Sequence, residues 1–204
     1  MKRIFFLTVL ALSLPIASFA TSTVDFSNSG GTLSGSNLGL MLSGSVLFAV
    51  NGLNGGSIIT GDNLGSVTFT TGALISGSLQ KGGMFAGGGS LAITGNGTSG
   101  LPNGTIFSGM FSGPVTWTLL TLGNGTHNYT LTGMLTGSLQ GVAVQGAIVQ
   151  LTVNTGASLF SGTASISSGN ITLSTGVIPE PGSLALMGTG LLGVAGLLRR
   201  KRRG

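Results

Sequence analysis

Few side chains between Thr21 and Ile178 can titrate or attack: His127, Asp25, Asp62, Lys81 and Tyr129, beside a large reserve of Ser and Thr hydroxyls. A Ser–His–Asp relay could be drawn from this set, but no nucleophile-elbow motif accompanies it. His127 stands beside a turn signal, where an exposed bystander is the plainer reading. Paired carboxylates for glycoside hydrolysis could come only from Asp25 and Asp62. Asp25 lies a few residues from the start of this stretch, where chains tend to be mobile. One His and no Cys exclude an ordinary zinc site. Asp62, in Gly61-Asp62-Asn63, could donate to calcium, but that ion needs about six to eight oxygens and charged ones are almost missing. A turn aspartate is the plainer reading. Gly87-Gly88-Gly89 lacks the Lys and Ser/Thr that would follow in a phosphate loop. No catalytic residue, metal ligand or cofactor is assigned, and the body is expected not to be an enzyme.

Sugar binding would need an exposed aromatic platform. Trp117 is the sole tryptophan and Tyr129 the sole tyrosine, and both fall on an apolar strand face, which favours packing in the core. Asn96, Asn103, Asn124, Asn128 and Asn170 each begin a glycosylation sequon, as expected by composition alone in so Asn-, Gly- and Thr-rich a chain.

The elements that must position these groups read as strands. Short runs alternating apolar with Ser/Thr recur between Gly/Asn punctuation: 46–50, 66–70, 73–80, 91–94, 147–153, 157–166 and 171–174. Residues 51–56 and 95–104 read as loops. The best-specified piece is 105–140. Phe107, Gly109, Phe111, Gly113, Val115, Trp117 and Leu119 share one face of its first arm. Tyr129, Leu131, Gly133, Leu135, Gly137 and Leu139 share one face of the second. A loop of Gly123–Gly125 with Gly125 left-handed keeps apolar facing apolar. It pairs Leu119 with Tyr129, Trp117 with Leu131, Val115 with Gly133, Gly113 with Leu135, Phe111 with Gly137 and Gly109 with Leu139. On the reverse side it builds a hydroxyl ladder, Thr118 with Thr130 and Thr116 with Thr132. Pro114 cannot donate to a ladder, so its arm is an edge or carries a bulge there. An echo of 71–80 at 132–140 suggests two related hairpins. The fold class that follows is all-β: an antiparallel β-sandwich-like body over residues 21–176, with a β-solenoid as the alternative.

Composition sets further bounds. The pI near 10.9 invites a nucleic-acid reading, yet the body's charges are Asp25, Asp62 and Lys81, a formal balance of −1. Such a surface cannot neutralise a row of phosphates, so no nucleic-acid partner is expected. The absence of Cys excludes a disulfide framework. About 155 residues suffice for one domain with a real core. Low charge and ample Thr, Val, Ile and Leu argue against disorder.

The remaining cations mark the two ends. Lys2 and Arg3 precede the apolar run Ile4–Ala17 and the small-x-small tripeptide Ser18-Phe19-Ala20. That is the pattern of a signal peptide over residues 1–20, a signal helix cut by signal peptidase between Ala20 and Thr21. At the far end stand Pro179-Glu180-Pro181-Gly182, the apolar run Ser183–Leu198 and the basic block Arg199-Arg200-Lys201-Arg202-Arg203. The run would extend about 24 Å as a transmembrane helix, short of the roughly 30 Å hydrocarbon core. It suits a temporary hold, with the basic stop-transfer block left in the cytoplasm and the body outside.

The ordered triplet of Pro-Glu-Pro, short hydrophobic segment and terminal Arg/Lys cluster resembles the PEP-CTERM sorting signal of Gram-negative bacteria. The resemblance covers residues 177–204. It implies a membrane-embedded exosortase that recognises Pro179-Glu180-Pro181 and cuts near it. It also implies bacteria that make extracellular polysaccharide. Residues and resemblance together lead to an exported structural or adhesive protein of the cell surface or extracellular matrix. The alternative is a carbohydrate-binding β-sandwich module associated with exopolysaccharide.

Overall fold

The structure is a computed structural model that describes residues 22–175. The signal helix over 1–20, the cleavage pair Ala20 and Thr21, the motif Pro179–Gly182, the apolar run 183–198 and the basic block Arg199–Arg203 lie outside the described residues. Among the described residues no helix is long and apolar enough to cross a membrane.

The strands are β1 (Ser22–Ser29), β2 (Thr32–Ser36), β3 (Gly39–Asn51), β4 (Ile59–Thr70), β5 (Leu74–Ser78), β6 (Gly82–Phe85), β7 (Gly88–Asn96), β8 (Asn103–Phe111), β9 (Val115–Thr121), β10 (His127–Leu139), β11 (Val142–Gly156), β12 (Thr163–Ser165) and β13 (Ser168–Thr175). Four pairs of them are single runs interrupted by a bend: β1 with β2, β4 with β5, β6 with β7, and β8 with β9. A fifth bend separates β12 from β13. Each run pairs antiparallel with the next in sequence, and β13 then pairs with both β11 and β1. The ring β1–β3–β4–β7–β8–β10–β11–β13–β1 is therefore closed, an eight-stranded up-and-down barrel.

All-β and antiparallel are as the sequence reads. The expected sandwich-like packing of facing sheets is corrected to one sheet closed on itself, and antiparallel meandering also excludes the solenoid. Alternation cannot separate these forms, because a sandwich and a barrel both present one apolar face per strand. The long-range pairing of the first strand with the last decides between them, from Ser22 opposite Thr175 to Asn28 opposite Gly169. The run expected over 157–166 is strand only at β12; before it the chain is irregular.

An eight-stranded ring is just wide enough for side chains to fill it. One continuous core does so, from Val24 and Phe26 on β1 to Ile171 and Leu173 on β13. Along β10 the inward face reads Tyr129, Leu131, Gly133, Leu135 and Leu139. Glycine is needed where rings fill the bore: a Cβ on Gly133 would stand 2.7 Å from the Phe111 ring. One on Gly137 would meet the Ser108 carbonyl oxygen and the Gly109 Cα.

The hairpin register holds along β9. Leu119 faces Tyr129, Trp117 faces Leu131, and Thr118 and Thr116 face Thr130 and Thr132. Gly125 is left-handed at φ 82°, and Leu122 N–H reaches the Thr126 carbonyl at 2.8 Å, closing the expected three-residue loop. Beyond the interruption at Ser112–Pro114 the pairing has slipped by two. Phe111 faces Leu135, Gly109 faces Gly137 and Phe107 faces Leu139, in place of Phe111 with Gly137 and Gly109 with Leu139. A slip of two keeps every side chain on its own face. The echo at 71–80 and 132–140 marks two hairpin ends, β5–β6 and β10–β11.

Gly137→Ala should destabilise the protein by about 1–3 kcal/mol, because its new methyl meets backbone in a filled bore. Gly113→Ala, with nothing within 4 Å of its Cβ, should stay within about 0.5 kcal/mol of wild type. Chemical denaturation of both variants measures the contrast, and equal stabilities would contradict this packing.

Candidate functional site

The barrel sets both carboxylates apart from His127. Asp25 is no mobile end residue: it lies within β1, between Thr172 of β13 and Asn51 of β3. Its Oδ1 accepts a 2.7 Å hydrogen bond from the Thr172 hydroxyl. The cross-strand row from Asp25 runs through Thr172 and Ile148 to Met134. His127 lies seven residues from Met134 along β10, or about 23 Å at 3.3 Å per residue. His127 Nδ1 instead lies 3.0 Å from Thr121 Oγ1. Lys81 occupies the β5–β6 tip, at the same end as His127, whereas Asp62 stands near the opposite end. The relay that the sequence allows on paper is not assembled. Among the described residues no group of His, Asp and Glu could hold a metal ion.

Trp117 and Tyr129 close the end from which Lys81 projects. Their rings stack at 4.9 Å, and Phe160 meets Trp117 edge-on at 5.5 Å. Trp117 Nε1 donates to the Leu79 carbonyl at 2.9 Å. The Tyr129 hydroxyl donates to the Gln80 carbonyl at 2.7 Å and accepts from Phe160 N–H at 3.0 Å. The β5–β6 tip and the 157–162 stretch are thus tied across the barrel mouth by the polar ends of two buried aromatics. Core packing, expected for both residues, is their role, and neither offers a sugar a face.

Outside, the strands present hydroxyls and amides. One row runs Thr118, Thr130, Thr152, Ser168; the next runs Thr116, Thr132, Gln150, Asn170, Ser27. Exposed apolar residues interrupt this face singly or in small groups, such as Met134 opposite Ile148. Sequon asparagines serve the turns: Asn124 Oδ1 accepts from Thr126 N–H, and Asn96 accepts from the Thr98 backbone and hydroxyl.

One feature of the surface departs from the ladder. Phe48 is passed over in the pairings of β3 with β1 and with β4: Ser27 and Asn28 face Ala49 and Leu47 on one side, and Gly65 and Thr60 face Leu47 and Ala49 on the other. In an unbroken strand Phe48 would share the inward face of Val50. The bulge turns it outward, 39% exposed, whereas the eight other described aromatic rings are buried. Opposite it, residues 61–64 leave the ladder as an excursion. Leu64 plugs that excursion into the core at 1% exposure, and Asn96 Nδ2 holds the Asn63 carbonyl at 2.6 Å. Beneath the bulge, buried Asn28 Nδ2 donates to Ser45 Oγ at 2.7 Å, and Ser45 Oγ donates to the Ser29 carbonyl at 3.2 Å. The result is an open hollow of about 510 Å³ lined by Ser29, Phe48, Thr60, Gly61 and Asp62. Sequence reasoning missed Phe48 because 46–50 is an unbroken apolar run, in which no residue type marks the bulge or the side that faces out.

Comparison with known families places the PEP-CTERM protein-sorting motif at residues 177–203. This motif implies sorting by an exosortase towards the cell surface. No curated protein and no solved structure matches the chain.

Because Trp117 is the sole tryptophan and only 1% exposed, its emission should be blue-shifted, resist iodide quenching and ignore added sugars. Tyr129→Phe should cost about 1–3 kcal/mol, leaving the buried Phe160 N–H without its acceptor and the Gln80 carbonyl without its donor. Fluorescence and denaturation measure these, and a readily quenched Trp117 would contradict the closed mouth.

Proposed function

We propose that this chain, which carries a PEP-CTERM sorting motif over residues 177–203, is an exported, non-enzymatic structural or adhesive protein of the cell surface or extracellular matrix. The motif carries the reading. Signal peptidase removes residues 1–20, and the segment after Gly182 holds the chain briefly in the inner membrane with its basic end inside. Exosortase then acts near Pro179-Glu180-Pro181 and frees or transfers the body. Without that step the protein stays membrane-anchored with its body outside.

The body supports a passive surface role in two ways. Its bore is filled by side chains, so the fold is used as a solid block and not as a container. Its outer rows are hydroxyls and amides with few charges, so contacts made through them depend little on salt. Burial of Trp117 and Tyr129 removes the platform on which a discrete glycan-binding module would most simply have rested.

Pro179→Ala combined with Pro181→Ala should block processing: the chain keeps its C-terminal segment and shifts to the membrane fraction. Intact mass and cell fractionation measure this. Unchanged mass and location would overturn sorting through the motif.

A further inference from the structure

We propose that the hollow at Phe48 and Asp62 binds one ring of a neutral polysaccharide. This inference rests on the surface role above, because it names what the displayed barrel would touch. Its first support is the bulge. A single extra residue turns the only exposed aromatic ring among the described residues away from the core. Bulges that re-aim one side chain recur beside functional sites. The second support is company. Asp62, one of only two carboxylates in the described body, lines the same hollow, with the hydroxyl-bearing Ser29 and Thr60. The third is rigidity. Leu64, the Asn96–Asn63 bond and the Asn28–Ser45–Ser29 chain pin both walls before any ligand arrives.

The chemistry fits a pyranose. Its apolar C–H face can lie on the Phe48 ring, and its hydroxyls can donate to the Asp62 carboxylate in charge-assisted hydrogen bonds. Ser29 and Thr60 hydroxyls can both donate and accept. A uronate polymer would bring its own carboxylates against Asp62, so the site should prefer neutral chains over acidic ones. A quaternary ammonium ion is the poorer fit, since cages for such ions desolvate them among several rings and this hollow is open with one.

The test uses affinity electrophoresis of the full-length chain in a polyoxyethylene detergent, because sugar-headed detergents would compete. Gels contain dextran, hydroxyethylcellulose, galactomannan or alginate. At least one neutral polymer should retard the wild type in a way that depends on Phe48; alginate, which the basic block Arg199–Arg203 attracts by charge alone, should show no retardation that depends on Phe48. Phe48→Ala should weaken retardation about tenfold, the size of one lost aromatic contact. Asp62→Asn should weaken it less, and both variants should keep the cooperative unfolding of the wild type, because neither side chain belongs to the core that fills the bore. Retardation by no neutral polymer, retardation by neutral polymers untouched by Phe48→Ala, retardation by alginate that Phe48→Ala weakens, or displacement by tetramethylammonium would each overturn the site. Cleavage and fractionation of the Phe48→Ala chain report separately on sorting. Failure of the sugar site would therefore leave normal processing, whereas failure of the surface reading would show in location.

Discussion

The pairing of the first strand with the last is the contact on which the rest of the barrel depends. β13 lies between β1 and β11 and satisfies an edge of each. Without it the sheet would be open, with two long exposed edges on a chain rich in β-formers and poor in the charges that discourage edge-to-edge association. The contact is also the most distant in sequence, so its loop entropy must be offset by everything it completes. It further fixes where the ends go. Ser22 and Thr175 are direct partners, so the body begins and ends on one rim. A sorting segment that starts at residue 177 therefore follows the closing strand almost immediately, and the barrel cannot close until nearly the whole body has been delivered.

Closure also decides which face meets water. Barrels of the outer-membrane type turn an apolar band outward and keep polar residues within. Here the order is reversed: Phe, Leu, Val and Ile fill the bore, and Thr, Ser, Asn and Gln cover the outer rows. Neither long ion-pair networks nor disulfides are needed when one continuous apolar core is sealed inside a ring of backbone hydrogen bonds. The formal charge of the whole chain, +5, thus says nothing about the body, whose own balance is −1. Seven of the eight cations belong to the two ends.

What could be read in advance followed from local physics. The loop at Gly123–Gly125, the inward placing of Trp117 and Tyr129 and the threonine ladder all follow from period-two alternation and one left-handed glycine. Pro114 was a visible obstacle, but its consequence was not: the ladder resumes two residues out of step, a slip that alternation cannot detect because no side chain changes face. Closure was equally hidden, since no local pattern records that β1 will meet β13. The candidate site lay deeper still. Phe48 lies in the unbroken apolar run 46–50, and only the combined registers of β1 and β4 against β3 reveal that it has been pushed out of line.

That displacement bears on function because exposing an aromatic ring is unfavourable by itself. Leaving a Phe half outside forfeits burial that contributes roughly 1.5–3 kcal/mol when complete, in a fold that buries its eight other described rings. The bulge also gives up ladder contacts, and beneath it Asn28 is buried with its Oδ1 left without a hydrogen-bond partner, a further cost that the anchoring Leu64 and the Asn28–Ser45 bond only partly offset. A fold indifferent to Phe48 would have no need of that support. A single open ring beside one carboxylate gives only weak attachment per molecule, and for a soluble monomer that would be of little use. On a displayed protein the arithmetic changes: many copies facing one polymer turn successive contacts into near-intramolecular events, and weak sites add up to strong retention without any one becoming hard to release.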